Sequence, residues 1–518
     1  MSKHDKNLFQ SPLAITVSLY VYAFVVSIFF TFSLSTWLFG FVITRFGGKI
    51  EYFLTWLLTF AVVYAFDGLA SIAARVKAIT KADKPDESPE LKAMSAWFLG
   101  FTALAIVTLL VSGFLAENLA FKAVKEASAK GYNMNIIKTA NTGRKGVNAA
   151  EKLDQFLFSG AGTSIQITAS LAQKNETFSY FLERKWTLGE VRAASDLIDA
   201  NKNSIKSLKE IISASDYLQV LDYPVTRIKE MNRHTAYGYT LLEEYARQLA
   251  LEAKLMSLTH REKEAYADVQ AISRLFNLLR DDSSGLVTKA AAIKVQTVLS
   301  SAFAVLMQND AAYRLVRPLM TAVIQNAKNG LTRSGLREET ALMLEKYSLI
   351  KKDRAMLKSV TGLSGPVAAL STITGALDIS FYRMITDFTD ASGEINIRAY
   401  TDVKALPYWP YLFTKAMEPD LIKFYRDEAF SLANLNTLYV LSLMKDHALS
   451  GGKLPASMRE ASKFIPANIL KDPFGKDTDL LIIYKGDYLE IYSVGSNYSD
   501  EAGSIADNRD LGHLLPLK

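Results

Sequence analysis

The chain has 518 residues, 49% of them hydrophobic and 22% charged, with a net charge of +6. At roughly 100–200 residues per domain, that length implies three or four units. The small positive excess is too weak to imply nucleic acid as a partner. The absence of cysteine excludes disulfides, thiolate catalysis, zinc–thiolate sites and iron–sulfur clusters.

These averages hide a split. Residues 1–115 hold 9 Lys/Arg and 7 Asp/Glu, against 50 and 46 in the remainder. Three apolar runs fill that first part. One is uncharged from Asn7 to Thr44, the next runs from Tyr52 to Ala74 with Asp67 as its only charge, and the last runs from Ala93 to Ala116. A bilayer core takes about 20 apolar helical residues. Residues 1–115 therefore read as an anchor of three spans, at about 12–45, 52–74 and 94–116. Trp37, Trp56 and Trp97 lie in these runs, as expected of indoles near membrane interfaces. The first run is longer than one span needs, so a hairpin around Ser33–Thr36 would give four spans instead. Asp67 reads as an acid near the membrane edge, paired with a basic group or with headgroups; the alternative is a proton or ion relay.

Lys and Arg in short loops set orientation. With three spans, Lys3, Lys6, Arg75, Lys77, Lys81, Lys84 and Lys92 share one side, and Arg45, Lys49, Lys122, Lys125 and Lys130 share the other. The bias favours a cytoplasmic N-terminus and an extracytoplasmic 116–518 on the cytoplasmic (inner) membrane of a bacterium. Four spans would put the large domain inside.

Residues 116–429 read as an α-helical domain. Leu242, Tyr245, Leu249, Leu255 and Leu258 form one apolar stripe. Ala265, Val269, Ile272, Phe276 and Leu279 form a second, and Leu286, Ala290, Ile293, Leu299 and Phe303 a third. Thr259-His260-Arg261-Glu262 fits a capping box, and Asp281–Gly285 is a break. Helices of about 20 residues with short turns pack most simply as stacked hairpins, in a solenoid-like array. The five histidines are scattered, and no metal-binding, nucleophile-elbow or phosphate-loop motif occurs. The Pro366–Leu377 stretch is apolar and reads as a buried helix.

Residues 430–518 change character. Phe430–Ala448 reads as a helix. Leu454-Pro455 and Asp472-Pro473-Phe474-Gly475 follow, then strands Leu480–Tyr484 and Tyr488–Tyr492 about a tight Lys485-Gly486-Asp487 connection, then Tyr492-Ser493-Val494-Gly495 and a polar segment to Asp510. This set resembles the globular head of the type II secretion major pseudopilins, without the Gly-Phe-Thr-Leu-x-Glu segment that precedes the helix in that family. The wider chain, through Asn148-Ala149-Ala150, Leu221-Asp222-Tyr223 and Arg509-Asp510-Leu511-Gly512, is similar to a group of uncharacterised bacterial membrane-anchored helical proteins. The pseudopilin resemblance implies a calcium site in the acidic loop, with the backbone of Val494 and the side chains of Asn497, Asp500, Asp507 and Asp510 as ligands; oxygen donors of this kind suit calcium.

The fold class expected is mainly α: three N-terminal transmembrane helices, a hairpin or solenoid-like helical domain, and a small C-terminal α+β domain that is pseudopilin-like. The expected role is a membrane-anchored extracytoplasmic scaffold or binding protein of the bacterial envelope, associated with secretion-type machinery. Its partners would be the lipid bilayer and an envelope protein or a second copy of the chain, and no nucleic acid. The alternative is an envelope-acting hydrolase with a carboxylate or serine site in the helical domain.

Overall fold

The computed structural model describes residues 89–130, 145–158, 176–218, 228–281, 286–327, 412–472, 478–495, 499–505 and 510–517, with a few gaps and a few isolated positions besides. The spans expected at about 12–45 and 52–74, together with Asp67, lie outside the described residues. The chain forms two compact units, residues 1–133 with 346–420, and residues 134–345 with 421–518.

In the first unit the dominant element is α1 (Pro89–Ala129), 41 residues long. Its two halves differ. Leu99, Leu110 and Phe114 are 64–71% exposed, and no polar face alternates with them. From Ala116 onward the helix becomes two-sided. Ala116, Ala120, Ala123 and Ala127 are buried at helical spacing, while Phe121 points outward. Short alanines at positions three or four apart let a helix pack closely along one stripe. In the same unit Ala376, Leu377, Asp378 and Ser380 are buried. Burial, and then the charge of Glu117, push the Asp378 carboxyl up to about 7.

The second unit holds α2 (Ala150–Phe158), α3 (Phe178–Glu183), α4 (Leu188–Ala214), α5 (Ile228–Leu258), α6 (Glu262–Asp281), α7 (Leu286–Met307) and α8 (Asp310–Ala327). The three stripes expected from sequence become α5, α6 and α7. Each of the three packs on the other two, so they form a bundle. α4 lies on α5 and α6, and α8 lies on α6 and α7.

The capping box expected at Thr259–Glu262 is not formed. The Thr259 hydroxyl turns back to the carbonyls of Leu255 and Met256. His260 sits at φ 57°, while the Arg261 amide donates to Met256 and the His260 amide to Ser257. This is the left-handed closure that ends a helix by satisfying its last carbonyls. The capping box stands instead at Thr187, whose side chain accepts from the Glu190 amide while the Glu190 carboxylate accepts from the Thr187 amide, starting α4.

α9 (Leu412–Leu449) begins well before the Phe430 expected from sequence, so the expected division at 429/430 falls inside a helix. It is followed by the short α10 (Met458–Ala461), capped by Ser457. The sheet is antiparallel in the order β1 (Leu481–Lys485), β2 (Tyr488–Ser493), β3 (Leu511–Pro516). β1 and β2 match the two expected strands to within a residue, joined through Gly486 at φ 55°. β3 was not expected; its residues lie just beyond the polar segment. Gly512 of β3 stands opposite Tyr492, where an added Cβ would strike the Ile491 carbonyl. One apolar core runs through these elements, taking in Leu153, Phe181, Phe276, Phe303, Leu441, Ile491 and Leu515.

Candidate binding cleft

Within the second unit a cleft of about 580 Å³ opens where the start of α3 meets α5, α7, α9 and the edge of β3. Ligand pockets commonly measure about 300–1,000 Å³. Thr177, Phe178 and Tyr180 line it from α3, and Thr177 also caps that helix by accepting from the Tyr180 amide. Phe430 of α9 and Leu511 of β3 add apolar wall.

Two cations converge on one carboxylate here. Arg247 Nη2 donates to Glu243 Oε1 at 2.6 Å, one helical turn away on α5, and Lys294 of α7 reaches Glu243 Oε2 at 2.9 Å. The Arg247 guanidinium also lies 5.2 Å from the Phe178 ring centroid, close enough for a cation–π contact. Its Nε is buried and has no hydrogen-bond partner among the described residues. On the β3 side, Asp510 is fully buried. Its Oδ2 accepts from the Ser504 amide at 2.8 Å, and its Oδ1 has no partner among the described residues. Burial pushes this carboxyl up, against the pull of the amides of Ser504, Glu501 and Gly503.

Below the cleft a polar network fixes the C-terminal strand to the helices. His513 Nδ1 lies 2.7 Å from Glu183 Oε1 and His513 Nε2 lies 2.9 Å from the Asn434 carbonyl; Leu514 N donates to Glu183 Oε2 at 3.0 Å. Glu183 and His513 are each 1% exposed. The Glu183 carbonyl, at the end of α3, accepts from Gln308 Nε2 at 2.5 Å and from Lys254 Nζ at 3.4 Å. Lys254 also donates to the Arg184 carbonyl and to Gln308 Oε1. Its ammonium thus sits at a helix C-terminus, where the backbone carries partial negative charge. Burial pulls it down to about 8, opposed by Glu183. Arg184 closes the same corner by clamping Glu176 and Glu190, and this bond holds the Glu190 carboxyl at about 2.

The two motifs that carry the pseudopilin resemblance are joined. Asp472 Oδ1 accepts from Ser493 Oγ at 2.6 Å and from the Phe474 amide, and Oδ2 accepts from the Val494 amide at 3.0 Å. A buried carboxylate with three such donors locks two loops together.

Of the five implied calcium ligands, Asn497 and Asp507 lie outside the described residues. The other three are among the described residues. Val494 is held through its amide by Asp472. Asp500 Oδ1 accepts from Tyr492 Oη at 3.1 Å and from the Ala502 amide at 2.8 Å. Asp510 faces the Ser504 turn. Among the described residues no group of three His, Asp or Glu side chains is arranged to hold a metal ion. Of the three described, Asp510 has a buried oxygen, Oδ1, without a partner among the described residues.

Glu183, Arg247, Lys254 and Lys294 carry no sequence signal. Their contacts span up to 331 residues, and each stands alone in its segment. His513 was visible only as one of five scattered histidines. The chain matches no protein-family model, no curated protein and no solved structure.

Proposed function

We propose that the chain is a membrane-anchored, extracytoplasmic binding or scaffold protein of the bacterial envelope. The observation that carries this reading is the first half of α1. An apolar helix with no polar face and large side chains in the open has water as an unfavourable surrounding and lipid as a favourable one. Leu99, Ile106, Leu110 and Phe114 are such side chains, each more than half exposed. The helix is long and apolar enough to cross a membrane, and only 12% of its apolar window is buried. The three-span arrangement and the outward placement of residues 116–518 add the apolar runs before α1 and the Lys/Arg bias between loops. The pseudopilin-like motifs support an exported setting and a place beside secretion-type machinery by analogy alone. A second copy of the chain or an envelope protein would be the partner.

Protease treatment of intact cells and of spheroplasts tests the reading. Residues 116–518 should be degraded only after the outer barrier is opened. Protection of that region in spheroplasts would place it inside and defeat the proposal.

A further inference from the structure

Among the described residues, the cleft at α3 has two buried polar atoms without a partner, of opposite sense, in its own lining. One is a donor, Nε of Arg247, and the other an acceptor, Oδ1 of Asp510. Buried polar groups are nearly always paired, and a leftover one asks for a partner. Arg247 and Lys294 share Glu243, and Arg247 Nη1 also lies 3.9 Å from Glu244. Asp510 is fully buried, with the Ser504 amide donating to its Oδ2. A simple anion would answer the Arg247 donor and not the Asp510 acceptor, and a simple cation the reverse.

Phe178 and Phe430 give the cleft aromatic wall, and Phe430 is braced by Phe474 at 5.4 Å between ring centroids. Such walls accept an apolar side chain between the two polar points. We propose that this cleft binds a zwitterion of amino-acid or dipeptide size, with its ammonium at Asp510 and its carboxylate at Arg247 and Lys294. The proposal deepens the binding-protein reading by naming a ligand class, and it holds on whichever side of the membrane the domain stands.

Calorimetric titration of the full-length chain in detergent micelles, with EDTA present, tests it. The probe is leucyl-phenylalanine, with its N-acetylated and C-amidated forms as the two controls. The free dipeptide should bind, and each capped form should bind roughly tenfold or more weakly, since each loses one charge-assisted contact. Asp510→Asn should abolish the difference between free and acetylated forms, and Arg247→Gln should narrow the difference between acid and amide. Should either variant fail to fold, the capped probes on the unaltered chain still decide. Equal binding by capped and free forms, or no binding of the free dipeptide at about 10 mM, overturns the proposal.

Discussion

Among the described residues, two helices are long and apolar enough to cross a membrane, and they sit in opposite surroundings. In α1 the apolar window beginning at Thr102 is 12% buried, whereas in α7 the window from Thr288 to Met307 is 83% buried. α7 lies against α5, α6, α8, α3 and β3, and its polar residues are accommodated by the protein. Ser300 Oγ donates to the Thr297 carbonyl, and Lys289 Nζ donates to the Arg280 carbonyl at the end of α6 and pairs with Glu338. Among the described residues of α1, the buried ones form one stripe from Ala116 onward. Apolar content alone therefore does not assign a helix to lipid. The surface left uncovered is what separates the two.

The largest effects should separate these two helices. Phe303→Ala in α7 empties a fully buried site and should cost about 3–5 kcal/mol in denaturant unfolding. Leu110→Ala in α1, at 64% exposure, should leave the same transition within about 0.5 kcal/mol. Equal losses at the two positions would erase the distinction between them.

Close behind comes the strand that covers α7 from the C-terminal side. Glu183→Ala removes the carboxylate shared by His513 and the Leu514 amide and strands a buried imidazole, which should cost about 3–5 kcal/mol. Limited proteolysis should then cut the tail first. Gly512→Ala should cost less, about 1–3 kcal/mol, by forcing β3 away from the Ile491 carbonyl; an unchanged melting curve would mean that β3 is not paired there.

A smaller effect tests the bundle around α7 through pH. Lys209 serves two carboxylates, Glu252 and Asp268. Two acids and one base leave a surplus negative charge, and burial, then Glu252, push the more buried Asp268 up to about 7 from its ordinary 3.8. The folded chain thus keeps a proton that the unfolded chain releases, so this group's contribution falls as pH rises from about 4 to about 7. Asp268→Asn should flatten the stability curve over that window; a slope unchanged from the parent would remove Asp268 as its source. The smallest effect expected is that of calcium. Asp500 already has protein donors, so EDTA should leave the melting temperature of the full chain unmoved. A clear fall would assign a metal to Asp510 with Asn497 and Asp507.

Much of the architecture was legible in the sequence because periodicity is local. The stripes of α5, α6 and α7 and the β1–β2 hairpin depend on neighbours three, four or two residues apart. The bundle order was not legible, since nothing in those stripes says whether α5 also meets α7. β3 escaped because it pairs with β2 across the polar segment. Thr187-Leu188-Gly189-Glu190 is a capping box as plain in sequence as Thr259–Glu262, and only the folded geometry shows which of the two forms. The cleft was invisible for a further reason: Arg247, Lys294 and Asp510 belong to three separate segments, and each alone reads as a surface charge. Asp510 was singled out by the resemblance, though for a different partner.

The central claim is that the first half of α1 lies in lipid while α7 lies in protein. The chain has no cysteine, so a single introduced cysteine is a unique label. In native membranes, Leu110→Cys should resist a water-soluble maleimide and become reactive on detergent extraction with the fold intact, whereas Leu299→Cys, at a fully buried position of α7, should react only after denaturation. Rapid labelling at position 110 in untreated membranes would contradict the account.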